Sequence, residues 1–161
     1  AGSNKDTFLV DQGAEVANGW VFYLGNGAPQ LLIGTAQFLN SSSRIDDGQW
    51  HFIAATRNRA TGAVALYVDG NLTPVASGTA TTNALNAVSN LLIGGDRAGN
   101  RDLNATIDHL QIYPVALAGD VLQSIFNRQQ QSYCVAGGSS STQDRIHWTR
   151  LAVADWLRAA V

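Results

Sequence analysis

Residues 50–71 contain the runs Trp50-His-Phe-Ile-Ala54 and Val64-Ala-Leu-Tyr-Val68, and the second run leads into Asp69-Gly70-Asn71. Both runs are short and rich in aromatic and β-branched residues, which is typical of strands. The second alternates larger and smaller side chains, as a strand with two different faces does. Asp, Gly and Asn tolerate the positive φ angles of a tight hairpin turn. This stretch therefore predicts two strands, the second ending in a hairpin turn.

Similar runs lie on both sides of this stretch, separated by Gly, Asn and Pro. They cover residues 7–10, 20–24, 30–38, 72–76, 90–93 and 106–113. Pro74 cannot donate a ladder hydrogen bond, so its run is expected at a sheet edge or a bulge. In the last run Asp108, Leu110 and Ile112 are expected on one face. Regularly spaced strands of this kind predict an all-β, antiparallel fold, either a sandwich or a barrel.

Helical periodicity appears only late in the chain. Apolar residues recur at helical spacing over residues 117–126, which predicts a short helix after the last strand. Residues 132–144 include Gly and Ser in a row and are expected to form a linker. Ser141 and Asp144 have the spacing of a capping box, and residues 145–161 are then predicted to form a C-terminal helix. Residues 1–131 would form the β domain.

Composition sets limits on function. The chain has 161 residues, of which 45% are hydrophobic and 14% charged, and its formal net charge is −2. That suits one globular domain and gives no field to attract nucleic acid. The apolar runs are too short to span a membrane. The absence of methionine indicates a processed chain or a piece of a longer one, and the single cysteine, Cys134, is either a free thiol or a bridge to another chain.

Several motifs in order resemble those of laminin-G-like, concanavalin-A-like lectin domains. They are Asp47-Gly-Gln-Trp-His-Phe-Ile-Ala54, Leu66-Tyr-Val-Asp-Gly70, Leu92-Ile-Gly-Gly95, Ile107-Asp-His-Leu-Gln-Ile-Tyr113 and Ala116-Leu117. The resemblance implies an antiparallel two-sheet jelly-roll sandwich with a short helix after its last strand. It also implies an extracellular or cell-surface module that binds a glycan or a surface protein.

The resemblance includes one departure. Complete members of the family usually begin with further strands before the equivalent of residues 7–10. Three explanations are open: the chain is a piece, a partner chain supplies the strands, or residues 145–161 cover the gap. The second explanation would make the chain a structural subunit of a multi-chain surface filament, such as a pilus.

Catalytic chemistry finds little support in the sequence. Glu15 is the only glutamate, so the paired carboxylates of a glycosidase are not evident. His51 and His109 lie in predicted strands, where half-buried structural histidines are common. We therefore expect no enzyme, and a glycoside hydrolase fragment is the last of three hypotheses.

Ligand-binding residues are predicted from side-chain chemistry. Asp96, Asn100 and Asp102 lie in one loop and could hydrogen-bond a sugar, while Trp20 and Tyr113 could offer aromatic faces.

Calcium is the most credible ion for this chain, because Ca²⁺ prefers carboxylate and carbonyl oxygens. Asp96 offers such oxygens, and the resemblance makes Asp108 a second candidate ligand. Arg97 and Arg101 place positive charge in the same loop. The alternative is therefore a solvated turn with an aspartate paired to arginine.

Overall fold

The computed structural model describes residues 6–13 and 16–131, together with the backbone of 150–154. These residues form two five-stranded sheets and one helix. The elements are β1 (Thr7–Gln12), β2 (Trp20–Gly25), β3 (Ala28–Ile33), β4 (Gln37–Asn40), β5 (Phe52–Arg57), β6 (Ala63–Val68), β7 (Ala76–Thr79), β8 (Leu92–Ile93), β9 (Gln111–Tyr113), α1 (Gly119–Gln131) and β10 (Arg150–Ala154). We call the sheet with order β4-β3-β2-β1-β8 sheet A, and the sheet with order β7-β6-β5-β10-β9 sheet B.

The main core lies between the two sheets. Trp20 and Phe22 of β2 and Leu31 of β3 enter it from sheet A, while Ile53 and Leu66 enter it from sheet B. All five are almost completely buried. Successive side chains of a strand alternate between faces, so every second residue of these strands reaches the core. The predicted two-sheet sandwich is confirmed.

Helix α1 covers the outer face of sheet B. Leu122 and Ile125 of the helix pack against Phe52 and Ala54 of β5, and these four side chains form a second buried cluster. Strand β5 therefore has covered side chains on both faces, and all six of its residues are buried. The predicted helix after the last sandwich strand is confirmed, although it begins at Gly119 and ends at Gln131.

The hairpin turn after β6 forms as its sequence predicts. Asp69 and Gly70 have φ angles of 54° and 66°, the signature of a turn with two left-handed residues. The return strand is displaced, however. It runs Ala76–Thr79 rather than 72–76, and pairs with β6. Pro74 has no backbone N–H to donate, so the regular ladder begins only after it.

Two other strand predictions need correction. The run over 30–38 is split, because Gly34 adopts a φ of 63° and turns the chain between β3 and β4. The run over 106–113 keeps only Gln111–Tyr113 as strand. His109 has a φ of 53°, which interrupts the extended backbone. The prediction that Asp108 shares one strand face with Leu110 and Ile112 is therefore wrong.

The C-terminal prediction is wrong where the structure describes it. Arg150–Ala154 lies inside the predicted helix but forms a strand parallel to both β5 and β9. Without it, one edge of β5 would lack a partner in the described sheet, so tertiary pairing overrides helix propensity there. The linker at 132–144, Cys134 and the other residues of 145–161 lie outside the described residues.

Candidate ligand-binding groove

A groove of about 450 Å³ runs beside the short edge strand β8. Strand β8 pairs antiparallel with β1, so the turn after β1 meets the loop that enters β8. The loop after β8 returns toward the start of β1, where Phe8 N donates to the carbonyl of Arg101 at 2.9 Å. The lining residues are Asp11, Gly13, Val16, Asn18, Ala87, Val88, Ser89, Asp96, Arg97, Ala98 and Arg101.

Asp96 is anchored by its own loop. Its carboxylate accepts a hydrogen bond from Asn100 N at 2.8 Å and lies 3.7 Å from Arg101 Nη1. The hydrogen bond from Asn100 lowers the pKa of Asp96; burial acts in the opposite direction, and the backbone N–H and charge of Arg101 add to the lowering. Asp96 therefore stays ionised and fixes the loop that carries Arg97.

The two arginines of the loop have different surroundings. The Arg101 guanidinium lies 4.9 Å from the centre of the Phe8 ring and is also close to Asp96. Arg97 is exposed, and its Nη2 donates to Asn90 O at a long 3.4 Å. Arg97 is therefore the better placed of the two to reach a ligand.

The opposite wall of the groove combines a buried hydroxyl with an exposed apolar side chain. Ser89 Oγ is inaccessible to solvent and has no hydrogen-bond partner among the described residues. Val88 beside it is fully exposed. The wall is held in place by Asn18, whose Nδ2 donates to Asn86 Oδ1 at 2.8 Å and whose carbonyl accepts from Ala87 N at 3.1 Å. A buried hydroxyl without a partner is costly, and a ligand could reach this one only if the wall moved.

Three of the predicted ligand-binding residues lie in one loop. Asp96 lines the groove, while Asn100 and Asp102 follow in the same loop. Asp102 turns toward Gly95, where a β-carbon on that glycine would come within 2.7 Å of its carboxylate. Of the three, only Asp96 is part of the groove wall.

The predicted aromatic faces lie elsewhere. Trp20 is 1% exposed in the main core, and its Nε1 donates to Gln12 Oε1 at 2.8 Å, so its ring is closed to a sugar in this structure. Tyr113 packs against the cluster under α1, and its hydroxyl donates to Gln111 Oε1 at 2.8 Å. Neither residue lines the groove.

The described carboxylates are a poor match for calcium. Asp96 already accepts a backbone N–H and faces Arg101. Asp108 Oδ2 lies 2.5 Å from Nδ1 of the adjacent His109. No group of three or more His, Cys, Asp or Glu side chains gathers among the residues whose side chains are described. Calcium at Asp96 and Asp108 stays a prediction.

His51 belongs to a separate network at the turn after β6. Its Nδ1 lies 2.9 Å from Asp69 Oδ2 and its Nε2 lies 3.0 Å from Asp47 Oδ1. Asp69 also accepts a hydrogen bond from Phe52 N at 3.1 Å. The three side chains therefore tie the loop before β5 to the turn between β6 and β7.

Sequence reasoning missed most of the groove. Arg97 and Arg101 entered the sequence analysis only as positive charges that disfavour calcium binding, and not as ligand-binding residues. Asp11 and Ser89 come from other segments, and no local motif links them to Asp96. The one signal that could have linked β1 to a binding site is an aspartate directly after an apolar run, as in Phe8-Leu-Val-Asp11, because Asp11 is buried.

A family model described as the concanavalin A-like lectin/glucanases superfamily, in its laminin-G-like form, matches residues 1–123. The chain belongs to this family. Laminin-G-like domains are typically non-catalytic, although the superfamily name includes glucanases. Membership favours an extracellular binding module.

A rat protein is also similar to this laminin-G-like chain. It is the sushi, von Willebrand factor type A, EGF and pentraxin domain-containing protein 1 of Rattus norvegicus, with 30% identity over 96 residues. The match covers 60% of this chain but only 2% of that protein. No solved structure matches. In the described part of the chain, α1 is neither long nor apolar enough to cross a bilayer.

Proposed function

We propose that this laminin-G-like domain is a non-catalytic extracellular binding module that takes a glycan or a surface protein into the groove beside β8. The observation that carries the proposal is the groove itself, which brings the exposed Arg97 and the exposed Val88 to one concave surface.

The groove has the chemistry that a hydroxyl-rich or weakly acidic ligand needs. Arg97 offers a planar set of donors suited to carboxylate or sulfate groups. Asn18 lies on the opposite wall, while Val16 and Val88 supply apolar contact. A site with a few fixed polar groups and some apolar surface is the usual form of a small-ligand site.

An array of neutral, carboxylated and sulfated oligosaccharides, together with extracellular-matrix proteins, tests the proposal. We expect wild-type protein to bind at least one probe, and Arg97→Ala to weaken that binding by roughly tenfold or more, as loss of a charge-assisted contact would. Arg59→Ala is the matched control, because Arg59 is exposed outside the groove. Equal loss in both variants, or no binding by wild type, would contradict the proposal.

The calcium prediction has its own test. If Asp96 and Asp108 hold Ca²⁺, calcium chloride should raise the melting temperature of the wild type relative to chelator. A ligand at one hundred times its Kd stabilises the folded state by about 2.7 kcal/mol. An unchanged melting temperature at millimolar calcium would rule out a calcium site at Asp96 and Asp108.

The second candidate function, a structural subunit of a surface filament, requires strands supplied by a partner chain. In the described sheet B the added strand is β10 of the same chain, which lies outside the family match. This observation agrees with residues 145–161 covering the gap and does not favour the filament. The third hypothesis, a glycoside hydrolase fragment, would need two carboxylates that face a substrate across the groove. Asp11 and Asp96 both line it, but Asp11 is 2% exposed and Asp96 is engaged by Asn100 N and Arg101. Glu15 lies outside the described residues.

A further inference from the structure

Strand β10 holds sheet B together at a gap. In the described sheet, β5 and β9 do not pair with each other; each pairs with β10 instead. Ala152 is the register partner of Ala54 on one side and of Gln111 on the other. The space between β5 and β9, which we call the strand slot, is thus a site that receives one extended segment.

The occupant of the strand slot comes from outside the family match. The family match ends at residue 123, whereas β10 begins at Arg150. Residues 132–149 separate β10 from α1, and even this short tether could extend to roughly 60 Å. A domain of this size is only about 35 Å across. The tether is therefore long enough for β10 to reach the slot of its own chain or that of a neighbouring copy.

The strand is also weakly held. It pairs parallel on both sides, whereas the other described pairings are antiparallel. Parallel ladders are somewhat less stable per residue than antiparallel ones. Five of its residues have partners in β5 but only three have partners in β9. Both ladders are short, although β10 is an interior strand of the sheet, and a short ladder opens at a lower free energy than the core does.

We propose that β10 is an exchangeable closing strand, and that the strand slot between β5 and β9 receives Arg150–Ala154 of a second copy as well as of its own chain. This inference goes beyond ligand binding and does not depend on the groove. At low concentration the tether keeps the slot filled from within. At concentrations near the effective concentration of a linker of this length, roughly millimolar, exchange yields a strand-swapped dimer.

Disulfide trapping tests the inference. The full-length chain carries Ala152→Cys and Gln111→Cys in a Cys134→Ser background, since residues 152 and 111 are register partners. Adjacent strands bring such partners within the Cα separation that a disulfide needs. The control replaces Gln111→Cys with Ser77→Cys, because Ser77 is exposed on β7 at the far edge of the same sheet.

The protein is incubated reduced at about 10 µM and at about 1 mM, diluted, oxidised at once and run on a non-reducing gel. We expect a 152–111 disulfide within one chain at the low concentration. At the high concentration we expect at least a fivefold larger fraction of covalent dimer linked 152 to 111 between chains, as verified by peptide mass spectrometry. The control should give neither product.

Each other result counts against the inference. A disulfide confined to single chains at both concentrations would overturn exchange. Absence of the 152–111 disulfide in a folded chain, as judged by circular dichroism, would overturn the strand slot itself. As much dimer from the control pair would mean that random collision explains the product. The groove is untouched in these variants, so array binding reports separately on the proposed function.

Discussion

At the residue scale, Gly19, just before β2, has the least room for a side chain of the described glycines. A β-carbon there would lie 1.8 Å from the carbonyl oxygen of Gly13, a backbone atom that cannot move aside cheaply. We expect Gly19→Ala to lower the free energy of unfolding by about 3 kcal/mol or more, the upper end for overpacking. Gly78→Ala is the matched control, because its β-carbon meets its nearest neighbour at 3.5 Å and should change stability by less than about 1 kcal/mol. Urea unfolding compares them; equal effects would contradict the packing around Gly19.

His51 makes stability depend on pH. Burial lowers the pKa of His51, but hydrogen bonds to Asp69 and Asp47 and the charges of these carboxylates outweigh burial, so its pKa is raised. A histidine with a raised folded-state pKa stabilises the fold fully below its unfolded pKa of about 6.5, and loses that effect as pH rises through the folded value. The backbone N–H of Gln49, followed by the His51 hydrogen bond, lowers the pKa of Asp47, whose contribution is lost as pH falls through its folded value.

The network is therefore strongest between about pH 4 and pH 6.5. We expect His51→Gln to lower the melting temperature clearly at pH 5.5 and much less at pH 8.5. Thermal melts of both proteins at the two pH values measure this difference. A loss of equal size at both values would show that His51 acts through packing rather than through its charge.

At the element scale, the docking of α1 on sheet B depends on one fully buried side chain. Leu122 is 0% exposed against Phe52 and Ala54, while its neighbour Val121 is 41% exposed. We expect Leu122→Ala to cost about 2–4 kcal/mol, since it removes buried methyl groups and leaves a cavity. Val121→Ala should cost less than about 1 kcal/mol. Chemical denaturation distinguishes them, and similar costs would mean that the helix does not pack as described.

The elements also show what local sequence could and could not predict. Strands β2 and β6 were evident because their composition and turn residues agree with their final environment. The interruption at His109 was hidden, because a positive φ in a non-glycine residue is imposed by surrounding contacts. Strand β10 was hidden too. Its partners in β5 lie about a hundred residues earlier in the chain, and the local sequence of residues 150–154 does not indicate them.

At the scale of the whole molecule, the sandwich was predictable and the groove was not. Alternating apolar residues and the motifs around Trp50 and Asp69 identify two facing sheets, because burial of every second residue is a property of the strand itself. The groove joins Asp11, Ser89 and Arg97 from three segments. Their proximity follows from sheet order, and in particular from the pairing of β8 with β1. The predicted residue that the groove retains is Asp96, which comes from the loop after β8.

The proposed function places the ligand in the groove beside β8 and not on the face of sheet B covered by α1. The most direct measurement is a titration of ¹⁵N-labelled protein with the strongest array-positive probe, followed by amide chemical-shift mapping. We expect saturable shifts concentrated at Ser89, Arg97 and Asn18. Shifts concentrated instead at Tyr67 and Tyr113, with the groove amides unmoved, would contradict it.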